Sequence, residues 1–216
     1  ARAIRYQDGA NGDIHDNVVF DNIESGIYLA ASSYCSAPDN DGCTNTQVYD
    51  NKSYGNMNNG ILIVGGKANT IRNNIVYDNW NAGVMLWCVG ENIVQENTIS
   101  HNNLYAFIGV GSLGDDEGGI WVESSTIYPG SSYVCKILNN AISDTQVGGL
   151  AQKVGVHVDS VPSNGIEIKY NTFSNHDVDV WVESQAATVV VNNNSFGTDY
   201  GIVNDDSGVT LDGTNN

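Results

Sequence analysis

Cationic side chains are scarce: 8 Lys and Arg stand against 25 Asp and Glu, for a formal net charge of −17. Such a chain repels nucleic acid and anionic lipid, so neither is an expected partner. The acidity is compatible with bound divalent cations, with a saline habitat or with plain solubility. Long apolar runs are missing too, and nothing approaches the roughly 18 residues that a membrane span requires, so no span is expected. Helical periodicity is also absent. Apolar residues make up 41% of the chain, yet they come in short bursts bounded by Asn, Gly and Asp, which is the pattern of many short strands. No Ser/His/Asp elbow, phosphate loop or dinucleotide fingerprint is present.

Cysteine is limited to 4 residues. Cys35 and Cys43 bracket a polar loop without any Cys-x-x-Cys or His-rich spacing, which points to a loop disulfide rather than zinc. A disulfide implies an oxidising compartment, and an extracellular location, secreted or cell-surface, is expected. Cys88 and Cys135 form either a second bridge, if their coils lie close, or two buried free thiols.

What is present is a repeat. The pattern Asn-x-apolar-x-x-polar occurs at Asn74-Ile-Val-Tyr-Asp-Asn79 and Asn97-Thr-Ile-Ser-His-Asn102, with further copies beginning at Asn17, Asn51, Asn140, Asn171 and Asn194. Successive first Asn residues are 34, 23, 23, 43, 31 and 23 positions apart, which gives a base period of 23 and three insertions. Around each copy apolar residues alternate, so each coil holds short strands joined by turns. Stacking such coils puts like residue on like residue at about 4.8 Å, and Asn amides can then bond to their copies above and below. Three positions before each ladder Asn, or its expected equivalent, stands an aliphatic residue, Ile14, Val48, Ile71, Val94, Ile137, Ile168, Val191 and Leu211, and this stack is the expected core. Crossovers between parallel strands of one sheet take the right hand, so residues 1–216 read as one all-β, single-stranded right-handed parallel β-helix of about seven coils.

The recurring Asn-x-apolar-x-x-Asn-x-x-x-Gly-apolar-x-apolar coil resembles the pectin-lyase-like superfamily over nearly the whole chain. The resemblance implies the same solenoid. Its members include pectate and alginate lyases, polygalacturonases, mannuronan epimerases and non-catalytic carbohydrate-binding or surface proteins, so polysaccharide is the expected partner and the activity stays open. The alternative is a non-catalytic adhesin or filament module. Ala3-Ile4-Arg5-Tyr6 reads as the middle of a coil and Val209-Thr-Leu211 as the start of another. Open solenoid ends are therefore expected, from a longer protein or from a unit that self-associates end to end.

A packed interior leaves outward side chains and insertion loops for chemistry. The strands at Gly119-Ile-Trp-Val-Glu123, Gly155-Val-His-Val-Asp159 and Asp179-Val-Trp-Val-Glu183 share one template. In register they place Trp121, His157 and Trp181 in one outward row, a candidate sugar platform, and Glu123, Asp159 and Glu183 in the next. Those carboxylates are candidates for Ca²⁺ ligation or for an acid and base in glycoside cleavage; otherwise they are solvated edge charges. Asp39 and Asp41, and Asp115, Asp116 and Glu117, are further candidate Ca²⁺ ligands, although neither group has EF-hand spacing. The resemblance also implies that a lyase would take its proton-abstracting base from Arg72, Lys136 or Lys169, outward on the strand before the ladder. The Asp-Pro-His of the epimerases and the Gly-His-Gly and Asn-Thr-Asp of the polygalacturonases are missing.

Overall fold

The structure, a computed structural model, describes residues 2–31, 42–87, 90–104, 118–123, 134–144, 153–160, 165–183, 189–197, 200–205 and 211–212. Its strands fall into three parallel sheets of eight, eight and six strands. The first sheet runs from Ile4–Gln7 through Ile27–Ala30, Ile61–Val64, Val84–Trp87, Ile120–Glu123, Val154–Ser160 and Val178–Val182 to Tyr200–Asn204. The second runs from Asp13–His15 to Leu211–Asp212, and the third from Val18–Phe20 to Thr172–Ser174. The first six coils each contribute one strand to each sheet in turn and the next two contribute one to each of the first two sheets, so neighbours in a sheet come from successive coils.

The corners explain the composition. The residue before each first-ladder Asn is left-handed, with φ between 54° and 60° at Asp16, Asp50, Asn73, Glu96, Asn139, Tyr170 and Asn193. Non-glycine residues resist that region, and Asn and Asp resist it least, which is why the coil boundaries are rich in both. The turn delivers the next Asn to the interior. There Asn17, Asn51, Asn74, Asn97, Asn140, Asn171 and Asn194 form a continuous ladder, each Nδ2 donating to the next Oδ1 at 2.9–3.0 Å. The same Oδ1 also accepts the backbone N–H of the Asn one coil earlier, as Asn97 Oδ1 does from Asn74 at 2.9 Å. Each buried amide is thus satisfied by its own copies.

A second ladder joins Asn22, Asn56, Asn79 and Asn102 at 2.8–2.9 Å. A third, shorter one was not evident in the sequence pattern: Asn69 and Asn92 receive the backbone N–H groups of Thr46 and Asn69, each at 3.0 Å. Ile14, Val48, Ile71, Val94, Ile137, Ile168 and Val191 pair in register and are buried, as the period implies. Leu211 departs from that stack, because it pairs with Val189 and not with Val191.

The cysteine expectation is corrected at the two described positions. Cys43 and Cys135 are free, buried thiols, with Cys43 Sγ donating to Tyr6 O at 3.1 Å and Cys135 Sγ to Gly90 O at 3.3 Å. No bridge therefore joins Cys43 to Cys35 or Cys135 to Cys88. Both thiols face carbonyls of the solenoid wall, and burial pushes the Cys135 thiol up to about 11, so neither is a ready thiolate. Cys35 and Cys88 themselves lie outside the described residues. Among the described residues no helix is long and apolar enough to cross a membrane.

Candidate functional site

The outer face of the first sheet carries one register row through Tyr28, Leu62, Met85, Trp121, His157, Trp181 and Val203. Tyr28 and Met85 are nonetheless buried, and Tyr28 forms a small outer cluster with Ala30 and Val64. The structure brings Trp121, His157 and Trp181 together as three stacked rings. Centroids are 6.3 Å apart between Trp121 and His157, at an interplanar angle of 5°, and 5.0 Å apart between His157 and Trp181, at 21°. This stack modifies the expected platform, because His157 covers one face of each indole. Trp181 is further tied by its Nε1, which donates to Asp205 Oδ2 at 2.8 Å.

The carboxylates do not form an even row. A register shift between Val122 and Glu123 sets Glu123 opposite Ser160, so Asp159 is absorbed in a bulge of the Val154–Ser160 strand. Glu123 is half-buried, and its carboxyl is raised above the ordinary range, first by burial and then by the charge of Asp159. Glu183 points elsewhere: its Oε2 lies 3.3 Å from His157 Nε2. The other nitrogen of that buried imidazole, Nδ1, has no hydrogen-bond partner among the described residues, and neither has Trp121 Nε1.

Beside the stack opens a pocket of about 470 Å³. Leu62, Met85, Trp87, Trp121 and Glu123 form its floor from the first sheet, and Met57, Asn58, Asn59, Trp80 and Asn81 form its wall from the turns after the second ladder. Met57 and Trp80, like Asn58 and Asn81, are 23 positions apart, so they occupy equivalent places in successive coils. Asn81 Nδ2 donates to Asn58 Oδ1 at 3.3 Å. Asn59 is 1% exposed, and its Nδ2 donates to Asn58 Oδ1 at 2.9 Å while its Oδ1 has no partner. Sequence reasoning missed this wall. The 23-residue spacing was the available signal, but nothing in it shows that a turn folds over the strand of a neighbouring coil.

Arg72 stands apart, on the second sheet, with its guanidinium 4.2 Å over the Tyr49 ring. Lys169 pairs with Glu167 at 3.3 Å on that sheet. Asp39, Asp41, Asp115, Asp116 and Glu117 lie outside the described residues. Among the described residues no three His, Cys, Asp or Glu side chains gather into a metal cluster, so Glu123, Asp159 and Glu183 do not make a Ca²⁺ cage by themselves.

Three parallel sheets, Asn ladders and a solid aliphatic core define a parallel β-helix of the pectin-lyase-like kind. The chain belongs to the family described as right-handed beta helix region, whose model matches residues 39–196. Among solved structures it is similar to the A-module of mannuronan C-5 epimerase AlgE4 from Azotobacter vinelandii, with a TM-score of 0.56 and 14% identity. That match covers 94% of this chain and 58% of the A-module, so the chain spans less than two thirds of that relative's length. No curated protein matches it in sequence.

Proposed function

We propose that this β-helix binds a polysaccharide outside the cell, laid along the outer face of the first sheet with one sugar unit in the pocket beside Trp121. The observation that carries this reading is the pocket itself. Three indoles, Trp80, Trp87 and Trp121, meet amides and one carboxylate in a volume of about 470 Å³. Pyranose rings have apolar faces that stack on aromatic surfaces and hydroxyls that seek amides and carboxylates, and this lining offers both. The fold supports the reading, since its solved relative is named for an activity on mannuronan. A repeating coil also suits a repeating ligand.

A second reading, glycoside cleavage, is favoured by Glu123. A carboxyl whose hold on its proton is raised, first by burial and then by the charge of a neighbouring Asp159, is the kind of group that donates a proton to a leaving oxygen while a second carboxylate acts as base or nucleophile. Isothermal titration against oligosaccharides, with and without chelator, tests binding and any Ca²⁺ requirement together. Binding is expected to fall at least about tenfold in Trp121→Ala, and an unchanged affinity would sink the proposed site. Reducing-end release that disappears in Glu123→Gln would establish cleavage.

A further inference from the structure

All eight Lys and Arg residues lie among the described positions, and none lines the pocket. Arg2 and Arg5 sit over Tyr28, and Lys52, Arg72 and Lys169 belong to the other two sheets. Among the described residues the one ionisable group in the lining is Glu123, which already senses the charge of Asp159. Every other described lining residue is an amide, an indole, a thioether or an aliphatic side chain. A uronate carboxylate entering this space would lose water beside the Glu123 carboxyl and gain no cation, an arrangement that costs affinity wherever both groups are charged. A neutral pyranose meets no such penalty. Its hydroxyls can bond to the partly exposed amides of Asn58 and Asn81 and donate to Glu123, and the carboxyl of Glu123, when protonated, can donate back.

We infer that the pocket takes an uncharged pyranose unit of a neutral polysaccharide and rejects uronans, unlike the mannuronan named for its structural relative. This inference rests on the polysaccharide reading above, and its test separates the two. Tryptophan fluorescence would be titrated with neutral oligosaccharides (glucan, mannan, xylan), with polymannuronate and polygalacturonate oligomers, and with a cationic glucosamine oligomer. Salt above about 0.15 M screens the long-range repulsion of the acidic surface, so the remaining discrimination belongs to the pocket. Saturable quenching by a neutral series is expected, at least about tenfold tighter than by any uronan and weakened at least tenfold in Trp121→Ala. Glu123→Lys should narrow or reverse the preference by supplying the missing cation. Should Trp121→Ala fail to fold by circular dichroism, Trp80→Ala, a partly exposed wall residue, takes its place. Uronan binding equal to or tighter than neutral binding, or tightest binding of the cationic oligomer, would overturn the inference and leave the broader reading intact. Quenching by no member of any series would overturn the broader reading itself.

Discussion

The imidazole of His157 lies against the indole of Trp181 with 5.0 Å between ring centroids, while its Nε2 stands 3.3 Å from Glu183. His157 therefore acts as the spacer of a three-ring column, sandwiched and 4% exposed. Removing it in His157→Ala should cost about 2 kcal/mol of stability and leave Trp121 free to tilt, which lowers ligand affinity as well. His157→Phe keeps the column and removes the unpartnered Nδ1, so urea unfolding should show it near wild-type stability. A His157→Phe variant as unstable as His157→Ala would show that the Glu183 contact, and not the stacking, holds the site.

Glu123 makes stability depend on pH in a stated direction. Its folded carboxyl holds a proton more tightly than the unfolded one, so the folded chain carries more protons just above the ordinary glutamate range. Stability from this group is present below the unfolded value and lost as pH rises through the folded one. Glu123→Gln should accordingly melt higher than wild type at neutral pH and match it near pH ~4. A melting difference that is constant across that range would remove the case for burial of this carboxyl.

Much of this solenoid is legible in the sequence because a ladder demands the same residue at the same interval. Asn74 and Asn97 could be placed one above the other from spacing alone, and Trp121, His157 and Trp181 followed from the strand template. The bulge at Asp159 was not legible, since one extra residue in a strand leaves the alternation on either side intact. Nor was the pocket, which needs the turn at Trp80 and Asn81 to meet Trp121 of the next coil. Cys43 misled for a related reason: loop spacing suggested a bridge, whereas the thiol is turned to carbonyl oxygens of the wall.

The ladder should be strongest in its middle. Asn97 Nδ2 lies within 3.0 Å of Ile71 O, Gln95 O and Asn140 Oδ1, and its Oδ1 accepts both nitrogens of Asn74. Asn97→Ala strands buried donors and acceptors in two coils and should cost about 3 kcal/mol. Asn17 is half-buried and among the described residues its side chain bonds only His15 O and Asn51, so Asn17→Ala should cost about 1 kcal/mol. Equal shifts in urea midpoint for the two variants would contradict a cooperative ladder.

Tyr170 offers a gain instead. It is 55% exposed and sits at φ 60°, a corner where the other coils use Asp or Asn except at Glu96. A bulky side chain pays more for left-handed backbone than Asn does. Tyr170→Asn should therefore raise stability by about 0.5–1 kcal/mol, read as a higher melting temperature. A lower one would mean that the ring makes contacts worth more than the strain.

The last coils show how a solenoid exchanges one buried polar solution for another. Where earlier coils place a ladder Asn and a Gly, this one places His176 and Asp179, both buried, with His176 Nδ1 3.1 Å from Asp179 Oδ1. Asp179 Oδ2 also accepts the Gly197 N–H at 3.1 Å. In the earlier coils a Cβ added at Gly60 or Gly83 would lie 2.7–2.8 Å from the Nδ2 of Asn79 or Asn102, the ladder amide of the following coil, which leaves no room for a side chain such as that of Asp179. The two positions should therefore be coupled. Asp179→Gly alone removes one partner of a buried imidazole and the acceptor of the Gly197 N–H and should cost about 3 kcal/mol. Combining it with His176→Asn restores the residue types that earlier coils carry at these two positions and should recover at least about half of that loss, a coupling of roughly 1.5 kcal/mol in a double-mutant cycle. Additive losses would show that the His176–Asp179 pair is not a replacement for the ladder, and that the coil is held instead by its aliphatic core.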